Sequence, residues 1–374
     1  MQNGSGIPFF GVQRQYLQHK EELLEAIDRV LSSGQVLDGP YTNFFERKIA
    51  ARCHRRHAIA VNSCTQGLIF ALGASDTRNK ILVPAISYVA TVNSTLMAGC
   101  EPKFVDVDDR GLLDLDQIDF SLHEANIDAV MYVNLFGNML DYDKLRTITN
   151  FFNPNHPHIP IIEDAAQSFG GYLNGVPSGK LGDISVLSFD PTKNLPNYGS
   201  GGMILTDDDD VADICYNLRD NGKRSSHSMV GTNSKMSESD CAQMLVKLKY
   251  FDEWQRRRSA IAEYYTDRIS NYVDPILPAE GVTHAWHKYV IRNIGPSRSA
   301  LQLALDAQGI ATKIHYEHTL PEYDVSFDYY NYSKEIFRSA DAHCREALSI
   351  PIYPELTDAE VERIADTIVN HHIN

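Results

Sequence analysis

The sequence is poor in positive charge. Lys and Arg total 34 against 49 Asp and Glu, a formal net charge of −15. That balance excludes a broad basic face, and with it a general nucleic-acid or membrane-surface binder. A local anion site stays open, because a helix N-terminus and a few basic side chains can hold a phosphate on an acidic protein. No Cys-x-x-Cys pair occurs among Cys53, Cys64, Cys100, Cys215, Cys241 and Cys344, which argues against a zinc ribbon or a thioredoxin-like motif. Cysteines scattered in this way fit a reducing compartment, so a cytoplasmic location is expected, and no metal site is expected. No apolar run reaches the roughly 18 residues of a membrane span. MQNGSGIPFF at the start lacks a basic region followed by an apolar core, so no signal peptide is expected. No internal repeat is visible. The single low-complexity run, Asp207 to Asp210, is expected to be a solvated turn after a strand.

What is present is an ordinary globular composition, 43% hydrophobic and 22% charged over 374 residues. A prior of roughly 150 residues per domain suggests two domains. Helical spacing marks 17–33, with Gly34 as a stop, and 42–53. Strands and helices then alternate. Strands are predicted at 59–63, 80–84, 103–107, 129–136 and 159–164, and helices at 65–74 and 87–99. ISVLSF at 184–189 and GMILT at 202–206 read as a closing pair of strands. Such alternation predicts an α/β fold with a mainly parallel sheet covered on both faces. A long charged helix over 236–270 leads out of it. Beyond lie a strand at 288–294, a helix at 299–309 and a strand at 311–316. A terminal helix at 357–372 opens on a capping box, Thr357 with Glu360. The expected division is a large domain over 1–250 and a smaller α+β domain over 251–374.

The chemistry concentrates in 159–206. Asp164 ends an apolar strand, where open α/β sheets bind ligands. A carboxylate there can face a heterocycle nitrogen or simply cap the next helix; Gln167 stands close by. Lys193 also lies just past a strand, and a partly desolvated lysine gives up its proton more readily and can form an imine. A lone loop lysine is otherwise a solvated charge. Gly199, Gly201 and Gly202 allow a tight turn or close backbone approach, but they make no G-x-G-x-x-G and open no helix, so a dinucleotide fold is discounted. Ser63, Cys64 and Thr65 sit between a strand and a helix, where free amides and hydroxyls hold phosphate, or where a serine caps. Tyr88 opens the helix after the next strand; it stacks on a flat ring or, on base rates, fills core. A phosphate cradle, an aromatic, a strand-end carboxylate and a strand-end lysine are together the parts that pyridoxal phosphate (PLP) needs.

These blocks resemble the DegT/DnrJ/EryC1/StrS family of sugar aminotransferases, which have the aspartate aminotransferase type I fold. VNSCTQGL at 61–68, ILVPAISYVATVNS at 81–94, IIEDAAQSFGG at 161–171, SFDPTKN at 188–194 and GTNSKMSESDCAQML at 231–245 carry the likeness, which spans nearly the whole chain. By this resemblance Lys193 is the imine-forming lysine and proton shuttle. Asp164 pairs with the pyridine nitrogen, Gln167 contacts the ring hydroxyl and Tyr88 stacks on the ring. Ser63, Cys64, Thr65 and Ser188 surround the phosphate. Asn233 resembles an asparagine that reaches the phosphate from a partner subunit, which implies a homodimer with shared active sites. His315 and Tyr316 match a pair near the sugar nucleotide. The implied reaction moves an amino group from an amino acid, L-glutamate by resemblance, to a nucleotide-linked keto sugar. Other PLP chemistry on a free keto sugar or cyclitol, or a PLP-binding sensor without turnover, are the alternatives. Lys193 itself argues against dehydration, because a dehydrating relative lacks that lysine. The chain departs from the family at Cys64 (usually Gly), Gln66 (Asp), Asp190 (His or Tyr), Ser200 (acidic) and Lys235 (Arg), which bears on substrate identity and, at Cys64, on room in the cradle.

Overall fold

The computed structural model describes residues 6–118, 127–152, 158–292, 297–323 and 337–373. Its centre is a seven-stranded sheet of order β1-β9-β8-β5-β4-β2-β3. The strands are β1 (His57–Val61), β2 (Lys80–Pro84), β3 (Glu101–Val105), β4 (Ile127–Val133), β5 (Ile161–Asp164), β8 (Ile184–Ser188) and β9 (Gly202–Thr206). Short β6 (Tyr172–Leu173) and β7 (Val176–Pro177) lie between β5 and β8. Every described pairing in the sheet is parallel except those of β9, which runs antiparallel to both β1 and β8. The predicted closing pair is thus β8 and β9, and the sheet is mixed. Strands β5, β8 and β9 are buried along their whole length, as expected when helices cover both faces.

The covering helices are α1 (Val12–Ser33), α2 (Pro40–Arg52), α3 (Cys64–Ala74), α4 (Ala90–Met97), α5 (Tyr142–Phe152), α6 (Asp209–Arg219), α7 (Glu238–Leu248) and α8 (Phe251–Ile269). α3 lies close on the sheet because Gly67 has no side chain: a Cβ there would stand 2.7 Å from Val186 Cγ1. Leu68, Val61, Val186 and Ile204 are at most 1% exposed in the resulting core. Burying each such side chain contributes roughly 1.5–3 kcal/mol.

A second core gathers Ile261, Tyr265 and Ile269 of α8 with β12 (Tyr289–Arg292), α9 (Arg298–Ala307), β13 (Leu348–Ile350) and α11 (Asp358–Ile373). Ile7 joins this core through a bridge to Ile310, so the chain's first described residues pack with its last. Between them, α10 (Arg338–Glu346) starts where Asp106 accepts from the amides of Ser339 and Ala340. β10 (Asp274–Pro275) and β11 (Val282–Thr283) are short edge strands.

Several expectations need correction. The long helix over 236–270 is two helices, α7 and α8, separated at Lys249 and Tyr250. Residues 311–316 form no regular strand; Lys313 makes one isolated bridge to Ser349. The strand at 288–294 is β12, and positions 293 and 294 lie outside the described residues. The helix over 87–99 shrinks to α4, which leaves Ser87 and Tyr88 in the preceding loop. The acidic run caps a helix rather than only turning: Asp208 accepts from the amides of Asp210 and Val211 at the start of α6. The capping box at Thr357 and Glu360 forms, with reciprocal bonds of 3.0 and 3.3 Å. Among the described residues no helix is long and apolar enough to cross a membrane, and no cluster of His, Cys, Asp and Glu forms a metal site.

Candidate active site

The carboxyl ends of β1, β5 and β8 lie at the same end of the sheet, and a cavity of about 370 Å³ opens there. Ser63, Cys64, Thr65, Tyr88, Asp164, Gln167, Ser188, Lys193, His315 and Tyr316 all line it. Ten of the eleven sequence-predicted residues therefore converge. The eleventh, Asn233, is exposed in a bridge to Asp220 and does not reach this chain's own cavity.

The anion cradle follows from a strand feeding a helix. β1 ends at Val61 and Ser63 becomes the N-cap of α3, its Oγ accepting from Gln66 N at 3.1 Å. In the first turn of a helix the amides have no acceptor four residues back, so those of Cys64 and Thr65 remain as donors for an anion. Gly202 lets this turn sit against β9. A Cβ there would come within 2.7 Å of Ser63 C and Cys64 N. The Cys64 side chain packs against the main core as well as edging the cavity, so the thiol fits where the family's glycine stands. Burial pushes its pKa well up. Ser188 Oγ accepts from Asp190 N at 3.3 Å and faces the same space.

Glu163 and Asp164 are adjacent carboxylates with different fates. Alternation along β5 sends them to opposite faces. Glu163 is saturated: it accepts from Asn134 Nδ2, Ser185 Oγ and the amides of Gly179 and Leu181. Asp164 accepts from Ala166 N at 3.1 Å and keeps capacity to face a cationic ligand. It is 5% exposed, and that burial raises its pKa to about 6 against the opposing pull of the Ala166 amide and the Lys193 charge.

Lys193 sits in a braced turn. Asp190 Oδ1 accepts from Thr192 N at 3.0 Å and Thr192 Oγ1 at 2.7 Å, and Lys193 N donates to Asp190 O at 2.9 Å. Further along the loop, Asn194 Nδ2 donates to Ala285 O, and the buried Lys247 donates to Pro196 O at 2.6 Å. Burial lowers the pKa of Lys193, although Cys64, Asp164 and Asp190 pull it upward. The result is an amine biased toward its neutral, nucleophilic form beside a carboxylate.

Gln167 is fixed at both ends. Its Oε1 accepts from Phe136 N at 3.0 Å and its Nε2 donates to Tyr316 Oη at 3.1 Å. Tyr88 is 58% exposed with its ring 6.4 Å from that of Tyr316, so it stands at the cavity lip and the core-filling reading fails. His315 bonds Ser349 Oγ through Nδ1 at 2.8 Å. Burial and the nearby lysine charges depress its pKa to about 2, which keeps it neutral. Sequence reading missed Phe10, His287, Lys288 and Lys313, which also line the cavity. Their signal is weak, because Lys288 reads only as part of a strand and Phe10 only as an apolar terminus.

The residues fit pyridoxal phosphate. The α3 amides match a phosphate, the cradle against Gly202 has no room for a Cβ, a buried acidic group can meet a ring nitrogen, and a desolvated amine stands beside it.

Residues 17–369 match the DegT/DnrJ/EryC1/StrS aminotransferase family, and the chain belongs to it. It is a PLP-dependent aminotransferase. The chain is 32% identical to a "Pleiotropic regulatory protein" of Geobacillus stearothermophilus, over 98% of both chains. It is equally 32% identical to the dTDP-3-amino-3,4,6-trideoxy-alpha-D-glucose transaminase of Streptomyces venezuelae, over 97% of this chain and 95% of that one. The crystal structure of S. venezuelae DesV in complex with a ketimine intermediate superposes with a TM-score of 0.93 at 29% identity, covering 99% of this chain and all of that one.

Proposed function

We propose that the chain moves the amino group of L-glutamate to a nucleotide-linked keto sugar, giving an amino sugar. The observation that carries this is the meeting of Lys193, Asp164 and the α3 N-terminus in one cavity, in a chain whose relatives include a dTDP-sugar transaminase. When bound, pyridoxal phosphate supplies an electron sink that makes the amine-bearing carbon acidic. Lys193 takes the proton from that carbon and returns it one position away, acting as general base and then acid. Burial lowers its pKa, which favours the unprotonated amine for the first of these roles. Asp164 holds positive charge on the ring nitrogen, and the amides of Cys64 and Thr65, with Ser188, hold the phosphate. Gln167 is oriented toward the ring by Phe136 and Tyr316. His315 and Tyr316 meet the acceptor. The reading includes a cytoplasmic setting, supported by six free cysteines, and a two-domain chain divided near residue 250, supported by the separate second core.

The test is an absorbance spectrum of the PLP-loaded protein with L-glutamate, followed by a panel of nucleotide-linked and free keto sugars. Conversion to the pyridoxamine form, reversed by a nucleotide-linked keto sugar, is expected. The relative named as a regulatory protein favours a second reading, a PLP-binding regulator; a loaded protein that no amino donor converts would establish it instead.

The proposal also includes a homodimer in which Asn233 completes the other subunit's phosphate site. It is exposed and outside its own cavity, as that role requires. Co-expression of Lys193→Ala and Asn233→Ala chains tests this. Random pairing puts one intact site in half the dimers, so about a quarter of wild-type activity is expected from two chains that are each nearly inactive alone. A mixture no more active than its parents excludes sharing.

A further inference from the structure

Lys288, next to β12, is a buried amine with no counter-charge among the described residues. It is 5% exposed and lines the cavity. Among the described residues no carboxylate lies within ion-pair distance of its Nζ. Burial drives the Lys288 pKa well below the usual lysine range, Lys193, Arg258 and Lys313 push it the same way, and Asp190 pulls against them, so the amine gains its charge only when an anion arrives. Its Nζ lies 4.2 Å from the ring centre of Phe10 and 5.2 Å from that of Phe9. Lys313, exposed and also on the cavity wall, flanks the same two rings at 4.9 and 5.6 Å. His287 lines the cavity too, and its buried Nδ1 has no hydrogen-bond partner.

A buried ammonium without an anion is unfavourable and sheds its proton, and a ligand that brings the missing charge restores the ammonium and pairs with it. The geometry limits which charge that is. In an α-amino acid the carboxylate is bonded to the same carbon as the amine. An amine delivered at Lys193 therefore brings its carboxylate within a few Å of that lysine, the neighbourhood Lys288 shares. The diphosphate of a nucleotide sugar is held off from the reacting carbonyl by the sugar ring.

We propose that Lys288, with Lys313 beside it, forms the subsite for the carboxylate of the amino donor. This rests on the aminotransferase reading of the cavity. It assigns donor recognition to the wall capped by Phe9 and Phe10, apart from the phosphate cradle at α3.

The test titrates PLP-loaded wild type, K288M and K313M with glutarate, the unreactive carbon skeleton of glutamate, and separately with dTDP and UDP, by calorimetry. K288M is expected to lose glutarate affinity by about tenfold or more, as when one partner of a buried charge pair is removed. Nucleoside diphosphate binding stays at its wild-type strength, and the exposed Lys313 gives a smaller loss. Ligand-free K288M is also expected to melt above wild type, since it no longer buries an amine without a partner, and glutarate raises the wild-type Tm more than the variant's. Unchanged glutarate affinity in K288M, or a loss confined to the nucleoside diphosphates, overturns the proposal. Should K288M fail to fold, K288Q and K313M carry the same titration. A wild type that no amino donor converts counts against the aminotransferase reading instead, so the two failures are separable.

Discussion

Lys193→Ala is expected to fold, to bind pyridoxal phosphate and to be inert. Removing a positioned general base alone costs roughly 10²–10⁴-fold. On the proposed reading Lys193 serves as base, acid and nucleophile, so a loss on the order of 10⁴ or more is expected. The fold has no stake in this amine. It forms no ion pair among the described residues, and its loop is held by backbone and neighbouring side chains at Asp190, Asn194 and Pro196. Far-ultraviolet circular dichroism and thermal melting should match wild type, while single-turnover absorbance shows no conversion with L-glutamate. Wild-type turnover in this variant would remove the central assignment.

Asp164→Asn is expected to pull activity and stability in opposite directions. Asparagine keeps the size and loses the charge that, in the proposed role, would hold a proton on the ring nitrogen. Removing one preorganised electrostatic contact of this kind costs roughly 10²–10³-fold in kcat. The ligand-free protein behaves otherwise. A carboxyl whose folded pKa lies near 6, above its ordinary value, stabilises the fold relative to its unfolded behaviour only while protonated. That contribution is full below about pH 4 and disappears as pH rises through 6. At pH 7 the wild type therefore carries a buried charge whose cost, with the carboxyl pushed up to about 6, is on the order of 3 kcal/mol. The asparagine variant lacks that cost. Melting curves without cofactor should place it above wild type at pH 7–8, with the gap closing toward pH 4. A gap that is absent at high pH would mean the carboxyl is not desolvated as described.

The parts of this protein that could be read in the sequence are those dictated locally. β1, β2 and β5 announce themselves as apolar runs, and Ser63 and Thr357 as caps. Asp164 and Lys193 could be placed because each follows a strand, and strand ends in such sheets share one edge. What could not be read depends on packing between distant segments. The break between α7 and α8 has no proline or glycine to mark it. Tyr88 is left at the cavity lip because α4 begins two residues later, which its aromatic character does not foretell. Lys288 looks like a strand residue until the fold brings Phe9 and Phe10 across from the other end of the chain. Which of two adjacent carboxylates is available was also hidden, because the donors that saturate Glu163 come from residues 134 and 178–185.

The place of β9 bears on how the molecule is made. Gly202 pairs with Val61 on one side and Ser188 on the other, so a single late strand holds the phosphate turn beside the lysine loop. While the chain emerges from the ribosome, β1 waits for β9, its one sheet neighbour among the described residues, until residue 202 and those after it have been synthesised. Pairing so distant in sequence closes slowly, and the cradle has no fixed wall before it does. Cofactor uptake must then follow synthesis of more than half the polypeptide, and the wall bearing Lys288 and Lys313 is added later still. A chain truncated before residue 202 should leave the ribosome unable to retain pyridoxal phosphate, however complete its first helices are.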